Sequence, residues 1–448
     1  MKRFFSDYGM VFALLILCVL FSWLTWDEQK PTGAAGGEQL ARLVTVAAPA
    51  GAAVLVVTRD TEDDRELARA LSERLDEGGL RVIEVMHGSP RDARLALERA
   101  SREGRVDVVA CSPAAAQWPL MADLGATIPA LSKTKVLAPT SYYWPNFLKA
   151  DNLLNVANQI VVIAVVAIGM TMVIITAGID LSVGSLIALS AVAAGWMIRE
   201  FAGAADAGTL GMVLCCLAGI GLCAAMGLFS GGMVALFRVP PFIVTLGMML
   251  VGSGLAYTLA GGESIYQVPE SFIWLGRGTA VWKVPNSVVL MVLLFAAAHI
   301  VMSKTVLGRY IYAIGGNAEA ARLSGVPVRR ILLLVYTLSG ALAGLGGIIT
   351  ASQLKSGSPT YGLMYELYVI AAVVVGGTSL QGGRGKVLGT LIGAFVIAVI
   401  QNGMNLTGVG SYAQKIVLGL VILGAVLFDT LKHGGLRLLA GAAAAPKE

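Results

Sequence analysis

From Asn152 to Thr430 the chain is almost continuously apolar, broken only by short turns and a few loops. Apolar stretches are expected at about 153–177, 182–198, 209–236, 241–260, 286–303, 331–351, 366–377, 387–404 and 412–430. A helix of about 20 apolar residues crosses a hydrocarbon layer of about 30 Å, and most of these stretches reach that length. A further run, Gly9 to Trp26, precedes them and ends in Trp23 and Trp26, residue types that settle at a membrane interface. No small-residue cleavage site follows it, so it reads as an uncleaved first helix. The expectation is an all-α polytopic membrane protein of ten transmembrane helices with both termini cytoplasmic. A composition of 56% hydrophobic and 14% charged residues excludes a soluble globular protein.

The charges are unevenly distributed. Asp27 to Ala150 holds fifteen Lys/Arg and seventeen Asp/Glu, more than half of the charged residues in the chain. The remainder carries a net excess of base, placed mostly in loops that ten spans would put inside: Arg238, the stretch 304–330, Arg384 with Lys386, and Lys432 with Arg437. Basic short loops mark the cytoplasmic side. The loops expected outside hold Arg277, Lys283 and Lys355, with Arg199 and Lys415 at span ends. This is a topology signal, not the clustered basic face of a nucleic-acid binder. Gly261 to Pro285 is a longer outer loop whose Trp274 and Trp282 suit the interface.

The charged segment has its own pattern. Asp27 to about Gly51 is rich in Gly and Ala and reads as a linker. Strands follow at Ala53–Thr58, Arg81–Met86 and Val106–Cys111, with helices at Asp63–Glu77 and from Ser89-Pro90 to Arg102. This βαβαβ order predicts a small parallel sheet, and the orientation of the first helix puts it outside the cytoplasmic membrane. The expected domains are thus 1–26, a first transmembrane helix; 27–150, linker and α/β insert; 151–432, the transmembrane domain; and 433–448, a cytoplasmic tail.

Among the apolar spans a single polar stretch stands out: Lys304 to Arg330, KTVLGRYIYAIGGNAEAARLSGVPVRR. It carries five basic residues against one acid, Glu319. Asn317 to Leu323 is a good helix former, ended by Gly325 and Pro327. Read alone it is a solvated loop; flanked by spans, it offers a short helix to a cytoplasmic partner. Two further blocks, GIDLSVGSLIAL (Gly178–Leu189) and GTSLQGGRGKVLGTLIGA (Gly377–Ala394), both pass from a glycine-rich inner turn into an outgoing helix, which hints at an internal duplication. The span at 366–377 is short and ends in Gly376-Gly377; such helices often line a translocation path, and simple packing is an equal reading.

These motifs resemble a family. Glu319-Ala320-Ala321 followed by Gly325 resembles the EAA-x-x-x-G coupling segment of ATP-binding-cassette (ABC) importer permeases. Met170–Leu189, Glu366–Ala394 and Asn402–Asp429 resemble, in order, blocks of the ribose-type sugar permeases; the similarity covers about 145–430. The resemblance implies a permease subunit translocating a monosaccharide, without an ATPase of its own. It implies a separate ATP-binding subunit receiving the helix at Glu319–Gly325, a periplasmic or lipoprotein sugar-binding protein, and a second permease subunit, identical or related. Small Ala320 and Ala321 would permit close docking, and Glu319 and Arg322 would pair across that contact. No P-loop contradicts this: Val387 follows Gly385-Lys386, and Leu380 stands where a glycine is needed. The same architecture carrying a nucleoside, an autoinducer-type furanosyl compound or a branched-chain amino acid is the alternative; a membrane-anchored ligand sensor would need only one anchor.

Individual polar residues admit structural and functional readings. Asp180, with Ser182 and Gly184, is expected to cap the helix starting near 182 rather than touch substrate. Gly376, Gly377, Gly382 and Gly383 form the matching structural motif. Glu366 opens a span, where capping and gating are equal readings. Asp429, beside Lys432, is a solvated or paired helix end. Asn158, Gln159, Thr171, Tyr257, Glu366 and Asn402 are candidates for a substrate path, with Thr176, Ser190, Thr245 and Ser253 also carrying hydroxyls in spans. Each is singly more often an interhelical hydrogen bond. His299 is expected to pack between helices by a hydrogen bond. Five cysteines without a CxxC pair and three scattered histidines support neither a metal site nor a disulfide framework, and no cofactor is expected. The insert opens like a periplasmic sugar-binding lobe but is too short for a two-lobed clamp; docking of a binding protein, a tethered vestigial lobe and a spacer remain open, with docking favoured.

Overall fold

The computed structural model describes the backbone of residues 2–430 and the side chains of residues 9–427. The expected tail at 433–448, Lys432, Arg437 and the Asp429 side chain lie outside the described residues. The chain divides into two compact units, Trp26–Pro145 and the remainder.

The first helix, α1 (Lys2–Leu24), belongs to the larger unit. The smaller unit contains β1 (Trp26–Gln29), α2 (Gly33–Ala47), β2 (Ala53–Thr58), α3 (Glu62–Glu77), β3 (Arg81–His87), α4 (Pro90–Glu103), β4 (Val108–Cys111), the one-turn helices α5 (Pro119–Ala122) and α6 (Leu124–Thr127), β5 (Lys135–Leu137) and β6 (Tyr142–Pro145). Strands β2 to β5 form a fully parallel sheet in the order β3-β2-β4-β5. In β2 all of Val54 to Val57 are buried. Val54 and Val56 face Leu40, Val44, Leu67 and Leu71, while Leu55 and Val57 face Ala93 and Leu97. The sheet is therefore covered by α2 and α3 on one side and α4 on the other, and a strand buried on both faces reads as a continuous apolar run. Thr61 caps α3 by accepting from the Asp64 N–H at 3.4 Å. Ser89 and Asp92 close a capping box on α4, with the Ser89 N–H donating to Asp92 Oδ2 at 2.9 Å.

The linker expected at 27–51 instead holds most of β1 and all of α2. Its Gly and Ala content suggested flexibility, but Leu40, Ala41 and Val44 fall on one helical face and are buried against α3. At Gly37 a side chain would meet the backbone of Leu67 and Leu71, so glycine permits the close approach. Cys111 is fully buried in the same unit, and burial pushes its thiol up to about 12. A neutral, enclosed thiol does not react. Maleimide at pH 8 is expected to leave Cys111 unmodified in the folded chain and to label it on denaturation, read by peptide mass mapping.

The larger unit continues with α7 (Ala150–Ile175), α8 (Val183–Phe201), α9 (Thr209–Ala235), α10 (Pro241–Ala260), α11 (Asn286–Lys304), α12 (Val306–Gly316), α13 (Ala318–Leu323), α14 (Val328–Leu354), α15 (Tyr365–Val375), α16 (Val387–Leu406) and α17 (Ser411–Thr430). Among the described residues seven helices are long and apolar enough to cross a membrane: α7 to α11, α14 and α16. Apolar parts of α1, α15 and α17 are shorter. Helix α7 sits at the centre, packed against α11, α12, α14, α15 and α16. Helices α9 and α14 approach through small residues. A side chain at Gly227 would strike the Tyr336 carbonyl, and one at Gly340 the Cys223 carbonyl. His299 is exposed on α11, and only its carbonyl is engaged, by Ser303. The expected packing histidine is not there, because the apolar neighbours of α11 leave that face uncovered. Trp274 and Trp282 are exposed in the loop before α11.

Where the smaller unit leaves and rejoins the larger one, the ends meet. The Asn146 N–H donates to the Thr25 carbonyl at 2.9 Å, and the Phe147 N–H to Thr25 Oγ1 at 3.1 Å. Phe21 and Phe147 stack beside this seam with ring centroids 6.2 Å apart.

Candidate functional site: a junction of the polar stretch with two glycine-rich turns

The stretch 304–330 folds into two short helices. Helix α12 starts at a Thr305 cap, where Thr305 Oγ1 accepts from the Gly308 N–H at 3.4 Å. Asn317 lies just outside α13 and caps it, accepting from the Ala320 N–H at 2.9 Å. The helix ends with Gly325 at φ +85°: the Gly325 N–H reaches the Arg322 carbonyl at 3.0 Å and the Val326 N–H the Ala321 carbonyl at 3.0 Å. That pair of bonds is the Schellman closure, which requires a left-handed residue. Nothing lies within 4 Å of where a Gly325 side chain would begin, so the glycine serves the backbone turn and an open surface.

Two expectations for this helix change. Glu319 and Arg322, placed to pair with a partner, pair with each other across one turn, and the Arg322 guanidinium holds the Glu319 carboxyl below its ordinary range. Ala321 is buried against the core, so of the two alanines only Ala320 is exposed. The outward surface includes Glu319, Ala320, Arg322, Leu323, Ser324 and Gly325, with Leu323 78% exposed.

Behind this surface, α12 touches both glycine-rich turns. Helices α7 and α15 end alike. The Ala177 and Gly178 N–H groups bond back to Ile174 and Val173; the Gly377 and Thr378 N–H groups bond back to Val374 and Val373. Ala177 and Gly377 are both left-handed, at φ 64° and 82°. The turns meet where the Gly383 N–H donates to the Ile175 carbonyl at 2.8 Å. Gly315 of α12 lies on that bond. A side chain there would coincide with the Ile175 carbonyl and the Gly383 amide. Tyr312 adds a hydrogen bond from its hydroxyl to the Gly385 carbonyl at 2.8 Å. Sequence reasoning passed over Gly315 and Tyr312; the Gly315-Gly316 pair within a helical stretch was the available signal.

Asp180 anchors the first turn to the bundle. It is 1% exposed; Oδ1 accepts from the Ser182 N–H at 3.0 Å and the Ser182 hydroxyl at 2.6 Å, and Oδ2 from Ser339 of α14 at 2.8 Å. Thr245 of α10 donates to the neighbouring Ile179 carbonyl at 3.2 Å. Asp180→Ala would strand three donors in a buried place, at about 1–3 kcal/mol. It is expected to lower the thermal midpoint of the detergent-solubilised protein clearly, and Asp180→Asn, which keeps one acceptor oxygen, to lower it less.

The residues chosen for a substrate path are not brought together. Asn158 accepts from Ser287 at 2.8 Å and Gln353 at 3.2 Å. Thr171 shares a hydrogen bond with Thr390 at 2.8 Å. Asn402 exchanges amide bonds with Asn152 at 2.8 and 3.0 Å. Gln159 and Tyr257 are exposed. Glu366 opens α15 half-buried, with Gly184 of α8 against its carboxylate. Gly376 packs on Gly389 and Thr390 of α16. Among the described residues no group of His, Cys, Asp and Glu is arranged to hold a metal ion.

The larger unit is thus a bundle of apolar helices in which a short exposed helix is tied by backbone contacts to the ends of two others. The model of the family described as the branched-chain amino acid transport system permease component matches residues 152–426, more than half of the chain, and the chain belongs to this family of ABC importer permeases. It is a multi-pass inner-membrane subunit, with ATP hydrolysis left to another subunit. It is 45% identical over 306 residues to the ribose import permease protein of Escherichia coli K12, covering 66% of this chain and 91% of that protein. It is 43% identical to the ribose import permease protein of Bacillus subtilis 168, covering 64% and 87%. It is 36% identical to the galactose/methyl galactoside import permease protein of Escherichia coli K12, covering 66% and 92%. No solved structure matches the chain.

Proposed function

We propose that this chain is the translocating subunit of an importer for a monosaccharide, ribose or a near relative. The likeness to ribose permeases supports the cargo, and the Gly315 junction carries the mechanism. In this reading α13 sits in a cleft of the ATP-binding subunit, with Glu319, Ala320, Ala321, Arg322 and Gly325 at or behind the contact. Closure of the nucleotide-bound subunits moves α12 and α13 as a body. Because α12 rests on backbone at Ile175 and Gly383, that motion passes to the inner ends of α7 and α15 without slack. A rigid contact between backbones transmits displacement where flexible side chains would absorb it.

The finer arrangement belongs to the same proposal. Ten membrane segments, with α1, α15 and α17 added to the seven long ones, put both termini in the cytoplasm and the α/β unit outside. A second permease subunit completes the path, and a separate sugar-binding protein delivers cargo, with the α/β unit as its docking platform. Asp180, Ser182, Gly184, Gly376, Gly377, Gly382 and Gly383 shape the moving helix ends, and Glu366 faces Gly184 across the break between α15 and α8. The test is uptake of labelled ribose into vesicles holding this chain, its ATP-binding subunit and its binding protein. ATP-dependent accumulation competed by ribose, and not by branched-chain amino acids or nucleosides, is expected; competition by those instead would replace the cargo assignment.

A further inference from the structure

Strands β1 and β6 form a two-stranded antiparallel ribbon separate from the parallel sheet, with Trp26 opposite Pro145, Asp27 opposite Trp144, Glu28 opposite Tyr143 and Gln29 opposite Tyr142. Its aromatic side chains are turned out: Trp26 is 58% exposed, Tyr142 51%, Tyr143 64% and Trp144 44%. Successive strand residues point to opposite faces, so both faces of the ribbon carry large aromatic surface. An isolated two-stranded ribbon is marginal in water, and four exposed aromatic residues add to that cost.

The chain itself indicates what covers them. Leu15, Ile16, Val19, Leu20, Trp23 and Leu24 are exposed at helical spacing on α1, an apolar stripe that ends two residues before Trp26. The ribbon begins at the next pair in sequence, since Trp26 and Pro145 are its first rung. Along the chain, the apolar stripe of α1 is therefore followed within two residues by a strand pair of Trp and Tyr, the residues whose ring and polar tip suit the headgroup layer. Asp27, Glu28 and Lys30 are also exposed there, so both signs of charge meet the layer.

We propose that the β1–β6 ribbon lies in the phospholipid headgroup region and anchors the α/β unit to the bilayer surface. The aromatic rings rest at the acyl-carbonyl level; Trp and Tyr donors bond lipid phosphate and ester oxygens; Asp27 and Glu28 face headgroup ammonium groups. The ligand is a zwitterionic phospholipid surface.

The experiment uses the full chain in phosphatidylethanolamine/phosphatidylcholine vesicles, with Trp144 as the single tryptophan and the other six replaced by Phe. Lipids brominated near the carbonyl end are expected to at least halve its emission, while aqueous iodide leaves it nearly unchanged. A chain keeping only Trp118, half-buried against the α/β core, should be unaffected by the brominated lipid. Quenching of Trp144 by iodide and not by brominated lipid overturns the proposal. So does shielding that appears only on adding the sugar-binding protein, or only at high protein density, which would assign the surface to that protein or to a second copy. Should the replacements prevent folding, the wild-type chain is irradiated with a phosphatidylethanolamine bearing a headgroup diazirine. Adducts on the peptide containing Tyr142–Pro145 uphold the proposal, and their absence when the Trp282 loop is labelled overturns it.

Discussion

Gly315→Val is expected to reduce ATP-driven uptake to background, whereas Gly316→Ala next to it leaves uptake near that of the unsubstituted chain. A side chain at Gly315 would occupy the space of the Ile175 carbonyl and the Gly383 amide, which are themselves hydrogen-bonded. Neither is a flexible group that can swing aside. Overpacking of this kind costs about 1–3 kcal/mol when a core can adjust. Here the adjustment must separate α12 from both turns, so the larger loss is the contact that carries motion. At Gly316 nothing lies within 4 Å of a new side chain, and alanine favours a helix over glycine. Matched membrane levels of the two variants, with uptake differing by roughly tenfold or more, would establish the junction as the transmitting element. Equal uptake would reduce it to a packing detail.

Gly325→Asp should stop uptake by a different route. The residue is left-handed and faces open space, so the substitution strains the backbone by about 1–2 kcal/mol but clashes with nothing in this chain. The subunit is therefore expected to insert and to purify as a single species. What changes is the outward surface of α13, which gains a side chain and a negative charge close to Leu323 and Ser324. Co-purification of the ATP-binding subunit and transport-linked ATP hydrolysis are both expected to be lost. Gly325→Asn separates the causes, since asparagine tolerates the same backbone without the charge. If the Asp variant still transports, the α13 surface is a solvated loop and the contact lies elsewhere.

How far the sequence carried these conclusions depended on the kind of interaction. Apolar length placed the long helices to within a few residues, because a membrane span is specified by its own composition. The α13 helix was also legible, since Asn317, Gly325 and Pro327 act locally on the backbone. Helix α2 was not. Its glycines and alanines resemble a linker, and only Leu67 and Leu71 across from it reveal a buried face. Helix α12 was missed because its Arg309, Tyr310 and Tyr312 made a loop-like mixture. The Gly315 junction is a meeting of backbones remote in sequence, and beyond the Gly315-Gly316 pair itself nothing local points to its partners. The path residues meet a related limit. Asn158, Thr171 and Asn402 look alike as sequence, but each already has partners on another helix.

The seam at Thr25 bears on how the protein is made and how it came to be. Helix α1 packs chiefly against α16, which emerges from the ribosome long after it. Asn146 and Phe147, whose N–H groups bond to Thr25, come far earlier in the chain, just before α7. The chain between Trp26 and Pro145 thus leaves and returns through a stem whose two ends are bonded to each other. A stem closed in this way lets a module be gained, shortened or exchanged over generations while the bundle keeps its own register.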